Sequence, residues 1–253
     1  MDFTNALIII AAGFAAGFIN TVAGGGSLIS LPILIFMGLP PTVANASNRI
    51  ALFSQNVFGV LGFRSKGVSV YPYSLWLGLS ALVGAAIGAK IAVDINDALF
   101  NRILAIIMVL VVITMIINPI KAGQQERTSA KYTIIGLIVF FFVGIYGGFI
   151  QVGVGFMIMA ALTSVNGFSL VKTNSAKVFI VLVYTTAALA VFIWEDKINW
   201  YYGSVMAIGN SSGAWFASRW SVEKGDKWIK IFMIIIVIGM AIKLWISANG
   251  NTY

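Results

Sequence analysis

The sequence predicts an all-α integral membrane protein made of two inverted repeats, each a glycine-broken, re-entrant helical hairpin followed by three transmembrane helices. Three observations lead there. Of 253 residues, 60% are apolar and 9% charged, and the apolar runs repeatedly reach the roughly 20 residues needed to cross a bilayer. Two glycine-rich interruptions, Gly17 to Ser27 and Gly148 to Phe156, stand at corresponding places in the two halves. Finally, lysine and arginine divide unevenly between the two sides once each half is threaded as a hairpin plus three crossings.

Taken in order, Ala6 to Val22 is a short first span. It follows Met1-Asp2-Phe3-Thr4-Asn5, which lacks the basic start of a cleavable signal peptide, so the span is expected to remain as structure. Ser27 to Met37 and Phe156 to Val165 are 11 and 10 residues long, and each follows a glycine break. That length suits a re-entrant half-helix better than a crossing. Full spans read as Thr42 to Phe63, Pro72 to Val93, Ala98 to Ile117, Tyr132 to Gln151, Leu170 to Trp194, Trp200 to Ser218 and Trp228 to Ile246. The polar stretch 118–131 divides one polytopic domain, 1–253, into repeat one, 6–117, and repeat two, 132–247. Gly17-Phe18-Ile19-Asn20 is echoed by Gly148-Phe149-Ile150-Gln151, and Gly13/Gly17 and Gly84/Gly88 by Gly144/Gly148 and Gly209/Gly213.

The hairpin threading puts Arg64, Lys66, Lys121, Arg127, Lys131, Lys172, Arg219, Lys224, Lys227 and Lys230 on one side. Only Lys90, Arg102, Lys197 and Lys243 face the other, ten against four, whereas an even number of crossings per half would give seven against seven. The positive-inside bias therefore favours inversion, with both termini outside and 118–131 in the cytoplasm. The net charge of +8 belongs to these loops, so no nucleic-acid partner is expected. Histidine and cysteine are absent and all eight acids lie at termini or in polar gaps. No imidazole or thiolate metal site, haem ligation, thiol chemistry or histidine proton relay is available, and no cofactor is expected.

Paired breaks in the two halves of a membrane chain point to a binding site at the midplane. Half-helices starting near Ser27 and Phe156 would present free N–H groups and a positive dipole end, a ready site for an anion. If the halves are inverted, the two starts meet from opposite sides. Polar residues inside the spans add to this. Asn45, Asn48 and Arg49 lie on one span, Asn174, Ser175 and Lys177 on its counterpart, and all are costly there unless paired or facing a pathway. Their amides, hydroxyls and cations suit a tetrahedral or pyramidal oxyanion. The plainer reading is that Arg49 and Lys177 snorkel to the lipid interface and the amides cap helix starts. The Gly-xxx-Gly pairs read as close helix packing.

The run Gly-Phe-Ile-Asn-Thr-Val-Ala-Gly-Gly-Gly-Ser from Gly17, followed by Leu31 to Leu34, Gly38-Leu39-Pro40-Pro41 and Ala44 to Asn48, resembles the sulfite exporter TauE/SafE family, also called the toluene sulfonate uptake permease family. Gly144 to Gly155 and Lys172 to Lys177 resemble its second copy, in which Gln151-Val152-Gly153-Val154 lacks the triple glycine. The resemblance implies an inner-membrane permease, not an enzyme, for sulfite, sulfonates, sulfoacetate or related sulfur oxyanions. With the residues, it places the anion near Asn20, Gly24, Gly25, Gly26, Ser27, Gln151, Gly153 and Gly155. Arg49 and Lys177 then supply charge, and Asn45, Asn48, Asn174 and Ser175 hydrogen bonds. Export down an interior-negative potential is the leading expectation. An importer coupled to sodium or protons and a non-transporting membrane scaffold are the alternatives, and a homo-oligomer is compatible with all three. The topology is testable with single cysteines at Asn5, Gln124 and Asn249. Outside labelling of the first and third is expected, and outside labelling of position 124 alone would overturn the orientation.

Overall fold

The computed structural model describes residues 3–117 and 125–250; half of the 118–131 connection, 118–124 with Lys121, lies outside them. Nine helices are described: α1 (Phe3–Ala23), α2 (Ser27–Phe36), α3 (Pro41–Arg64), α4 (Tyr73–Asp94), α5 (Asp97–Ile117), α6 (Ala130–Phe149), α7 (Val154–Ser164), α8 (Leu170–Trp194) and α9 (Trp200–Gly250). The architecture is all-helical. Four of these helices, α1, α4, α6 and α8, are long and apolar enough to cross a membrane by length and composition. α3 is as long but carries Asn45, Asn48, Arg49, Gln55 and Asn56 on its buried face.

Residue contacts fix the helix directions. In α1 and α9, Gly13 lies against Met206, Phe14 against Phe216 and Phe18 against Trp220, so these helices run parallel. Along α3 and α9 the sequence of contacts is Ser47 to Asn199, Ser54 to Ser211 and Gly62 to Ser218, again parallel. Hence α1 and α3 point the same way, and the chain between them must return. It does so through α2, whose 10 residues span about 15 Å, half a hydrocarbon core. The second half repeats the arrangement. Gly84 meets Phe141 and Gly88 meets Ile145, making α4 and α6 parallel, while Tyr71 with Phe179 and Lys90 with Glu195 make α4 and α8 parallel. α7, 11 residues long, is the return. Across the halves, Arg49 stands over Phe192 and Gly59 meets Val178, so α3 and α8 run antiparallel.

The four Gly-xxx-Gly pairs make these contacts possible. Gly13/Gly17 of α1 lie against Gly209/Gly213 of α9, and Gly84/Gly88 of α4 against Gly144/Gly148 of α6, with backbone meeting backbone. A Cβ at Gly144 would overlap the Ala81 carbonyl and one at Gly148 the Ala85 carbonyl. Small residues of this kind let helices approach where lipid gives no hydrophobic drive to association. On the opposite side, Trp76, Leu79, Val83, Ile87 and Ile91 form an exposed apolar stripe along α4, the side a helix presents to lipid.

Two helices differ from the sequence reading by more than two residues, the boundaries of the others agreeing to within two. α1 begins at Phe3, before Ala6. The two spans expected over Trp200 to Ser218 and Trp228 to Ile246 are joined: helix continues through the charged segment 219–224 and breaks at Gly225, where φ is 74° and ψ −177°. Lys66 Nζ holds Glu223 at 2.6 Å across from the end of α3 and keeps its carboxyl below its ordinary range, which favours helix where a loop was expected. After the break, Asp226 accepts from the Leu170 and Val171 N–H groups, both at 2.9 Å, and so caps α8. Asp97 at the start of α5 caps α3 in the same manner through Thr42.

Candidate functional site

A helix that ends among buried residues leaves carbonyls without partners unless the protein supplies them. α1 and α6 both end on buried and half-buried residues, and the question is what binds their last carbonyls. At the end of α6, Arg49 donates through Nη1 to the Gly147 carbonyl at 2.5 Å and to Gln151 Oε1 at 2.7 Å, and through Nη2 to the Gly148 carbonyl at 2.9 Å. Asn45, one turn earlier on α3, donates to the Phe149 carbonyl at 2.9 Å and accepts weakly from Arg49 at 3.4 Å. At the end of α1, Lys177 donates to the Asn20 and Thr21 carbonyls, each at 2.9 Å, and to Asn174 Oδ1 at 2.7 Å. Asn174 donates to the Val22 carbonyl at 2.9 Å. In both halves, one cation and one amide of the third helix cap the first helix of the other half. A cation there also meets the negative end of the helix dipole.

Both cations are buried, Arg49 at 0% exposure and Lys177 at 2%, which removes the snorkelling alternative. Three oxygen acceptors surround Lys177, with the Met159 sulfur at 3.7 Å as a fourth, weaker one, so none of the three donors of its ammonium group is left over. Arg49 has five N–H donors and uses the four on its terminal nitrogens. Its Nε–H has no partner among the described residues. No carboxylate is buried among the described residues either, so the buried charge there is positive.

The glycine breaks bring the two hairpins together. Gly24, at φ 86°, packs its backbone on Gly155, and a Cβ on either residue would meet the other's backbone. Gly25 lies against the Phe156 ring, and Gly26 against the Ala16 carbonyl and Asn20. Ser27 opens α2 and is buried. Gln151 stands in the left-handed region at φ 59° without being glycine, a conformation that costs about 1–2 kcal/mol. It is held there because Oε1 accepts from both Arg49 and the Tyr184 hydroxyl, the latter at 3.0 Å.

The sequence-derived residues therefore fall into three groups. Asn45, Arg49 and Gln151 meet at the α6–α7 break, while Asn20, Asn174 and Lys177 meet at the end of α1. Gly24, Gly25, Gly26, Ser27 and Gly155 form the contact between the hairpins. Gly153 instead faces Val111 of α5, and Ser175 donates toward the Val68 carbonyl at 3.4 Å, away from both breaks. Asn48 is buried, and its Oδ1 has no partner among the described residues.

Sequence reasoning passed over Tyr184, Tyr146 and the pair Gln55–Asn210. Tyr146 donates to the Val152 carbonyl at 2.5 Å, bracing the break from the other side. Asn210 donates to Gln55 Oε1 at 3.2 Å in a buried seam between α3 and α9, beside the hydroxyl pair Ser54–Ser211 at 2.7 Å. A signal existed for two of them. Tyr184 lies seven residues after Lys177 and Gln55 seven after Asn48, in each case two turns along one face.

A family model described as sulfite exporter TauE/SafE matches residues 9–244, and the chain belongs to that family. A "Probable membrane transporter protein" of Haemophilus influenzae is 28% identical over 238 residues, covering 94% of this chain and 93% of the relative. The "Probable membrane transporter protein ORF9" of a Sinorhizobium species is 26% identical, with 93% and 90% covered. "Probable membrane transporter protein YfcA" of Escherichia coli K12 is 29% identical, with 93% and 88% covered. No solved structure matches the chain.

The two caps make a separable prediction. Asn45→Ala and Asn174→Ala each strip a carbonyl of its donor and should lower stability by about 1–3 kcal/mol. Because they brace different hairpins, the double variant should lose the sum. Thermal or chemical unfolding in detergent reads both quantities, and wild-type stability in either single variant would contradict the capping role.

Proposed function

We propose that this member of the sulfite exporter TauE/SafE family is a permease of the inner membrane for small sulfur-containing anions of the sulfite, sulfonate or sulfoacetate type. One observation carries the reading. The two charges buried among the described residues are both cations, contributed by opposite halves, with no buried carboxylate to neutralise them. Helix carbonyls compensate only part of such charge, so the interior attracts anions and repels cations. The relatives' names support transport.

The anion site lies where the hairpins touch, at the starts of α2 and α7, with Gly24, Gly25, Gly26, Ser27 and Gly155 giving backbone access. Arg49 is the direct cationic contact through its uncommitted Nε–H. Lys177 acts through its field, since its donors are engaged by Asn20, Thr21 and Asn174. The halves form an inverted duplication, a reading supported by the opposite directions of α3 and α8. Both termini face outward and the 118–131 connection faces the cytoplasm. Ion pairs support this by drawing Lys66 and Lys172 to the end of the bundle where α3 ends and α8 begins. An interior-negative potential then favours exit by about 2.3 kcal/mol per charge per 100 mV.

A second reading, sodium-coupled import, is favoured by two buried acceptors without partners among the described residues, Asn48 Oδ1 and Asn210 Oδ1. Proteoliposomes separate the two. Under the export reading, flux of sulfite or a small sulfonate follows an imposed potassium-diffusion potential and ignores sodium and pH gradients. Arg49→Lys keeps the charge and loses the Nε donor, and it should weaken anion affinity about tenfold or more. Flux that requires a sodium gradient would replace export with import, and undiminished anion affinity in Arg49→Lys would remove Arg49 from the contact.

A further inference from the structure

The outer face of α1 and α9 bears a groove of about 540 Å³ walled by Phe14, Phe18, Trp215, Phe216 and Trp220, with Arg219 at one end. Phe14 packs with Phe216 at 6.1 Å between centroids, and Phe18 and Trp220, 5.7 Å apart, both pack on Phe232 at 5.4 and 5.9 Å. Phe216 is 60% exposed, so the wall opens outward, where an embedded helix meets acyl chains. Tryptophans beside a cation mark the membrane–water interface.

The charges at this end are not balanced. Arg219 has its guanidinium carbon 5.3 Å from the Trp215 ring centroid, makes no contact ion pair among the described residues, and acts on Glu223 only through its field. Glu223, one turn on, also lines the groove but is already held by Lys66 at 2.6 Å. Lys224 lies over the Trp228 ring. Arg219, Lys66 and Lys224 thus stand against Glu223 and Asp226, and both carboxylates are engaged, Glu223 by Lys66 and Asp226 by the Leu170 and Val171 N–H groups.

We propose that this groove is a binding site for an anionic phospholipid, with the headgroup phosphate on Arg219 and an acyl chain along the aromatic wall. Two features select a lipid over a free oxyanion: the volume far exceeds that of phosphate, and five of the lining side chains are aromatic. The surplus of positive charge selects an anionic headgroup over a zwitterionic one, as basic pockets between membrane helices do elsewhere. The site is built by α1 and α9 rather than by the contact between Gly24 and Gly155, and it does not depend on which anion the protein carries.

Native mass spectrometry of the detergent-purified full chain tests the assignment, using phosphatidylglycerol, phosphatidylcholine with the same chains, and soluble glycerol phosphate as probes. Wild type should bind phosphatidylglycerol about tenfold or more tightly than phosphatidylcholine, and Arg219→Gln should abolish the difference, as loss of a charge-assisted contact does. Equal binding of the two lipids by wild type, unchanged preference in Arg219→Gln, or saturation by glycerol phosphate at the same concentration would each overturn it. A second readout leaves Arg219 in place. Phosphatidylglycerol brominated on its chains should quench tryptophan fluorescence, and Trp220→Phe should remove part of that quenching; quenching unaffected by Trp220→Phe also overturns the assignment.

Discussion

Everything in this structure depends on how a helix can end among buried residues. The last residues of α1 and α6 are buried or half-buried, and a buried carbonyl left without a hydrogen bond costs about 1–3 kcal/mol. Each helix end is closed by a cation and an amide from the opposite half: Lys177 with Asn174 on α1, Arg49 with Asn45 on α6. This reciprocity ties the halves together at the same points that interrupt the helices. It also explains why two cations sit buried without acidic partners, since their partners are peptide dipoles.

The caps require a close approach, and that is where glycine enters. Gly24 and Gly155 let the two breaks touch, and the Gly-xxx-Gly pairs bring α1 to α9 and α4 to α6 near enough for α3 and α8 to reach across. Gln151 carries the remaining strain and is fixed by Arg49 and Tyr184. Removing Arg49 would therefore loosen a break as well as take away a charge. Lys177, with its donors filled, is the more purely structural of the two.

Much of this was legible in the sequence. The half-length of Ser27 to Met37 and Phe156 to Val165 announced the returns, and the matched glycines announced where they would occur. Arg49 and Lys177 stood out because charged residues within apolar runs are rare. What they bind was not legible: the acceptors are backbone carbonyls 98 to 157 positions away, and a carbonyl has no sequence signature. Gln55, Asn210 and Tyr184 were passed over because single amides and phenols inside spans are common. Only the third dimension shows that α9 lays Asn210 against Gln55. The charged segment 219–224 was misjudged as a gap because its ion pair to Lys66 crosses from another helix.

The central claim is that an anion enters where the two hairpins touch and meets Arg49 through its unused donor. Selenite, a heavier analogue of sulfite, allows this to be seen directly by anomalous scattering from crystals grown in its presence. The account predicts a selenium peak with an oxygen in hydrogen-bond reach of Arg49 Nε, at roughly 2.7–3.2 Å, bordered by the starts of α2 and α7. A selenium peak elsewhere in the bundle, with Arg49 unchanged at the end of α6, would contradict it.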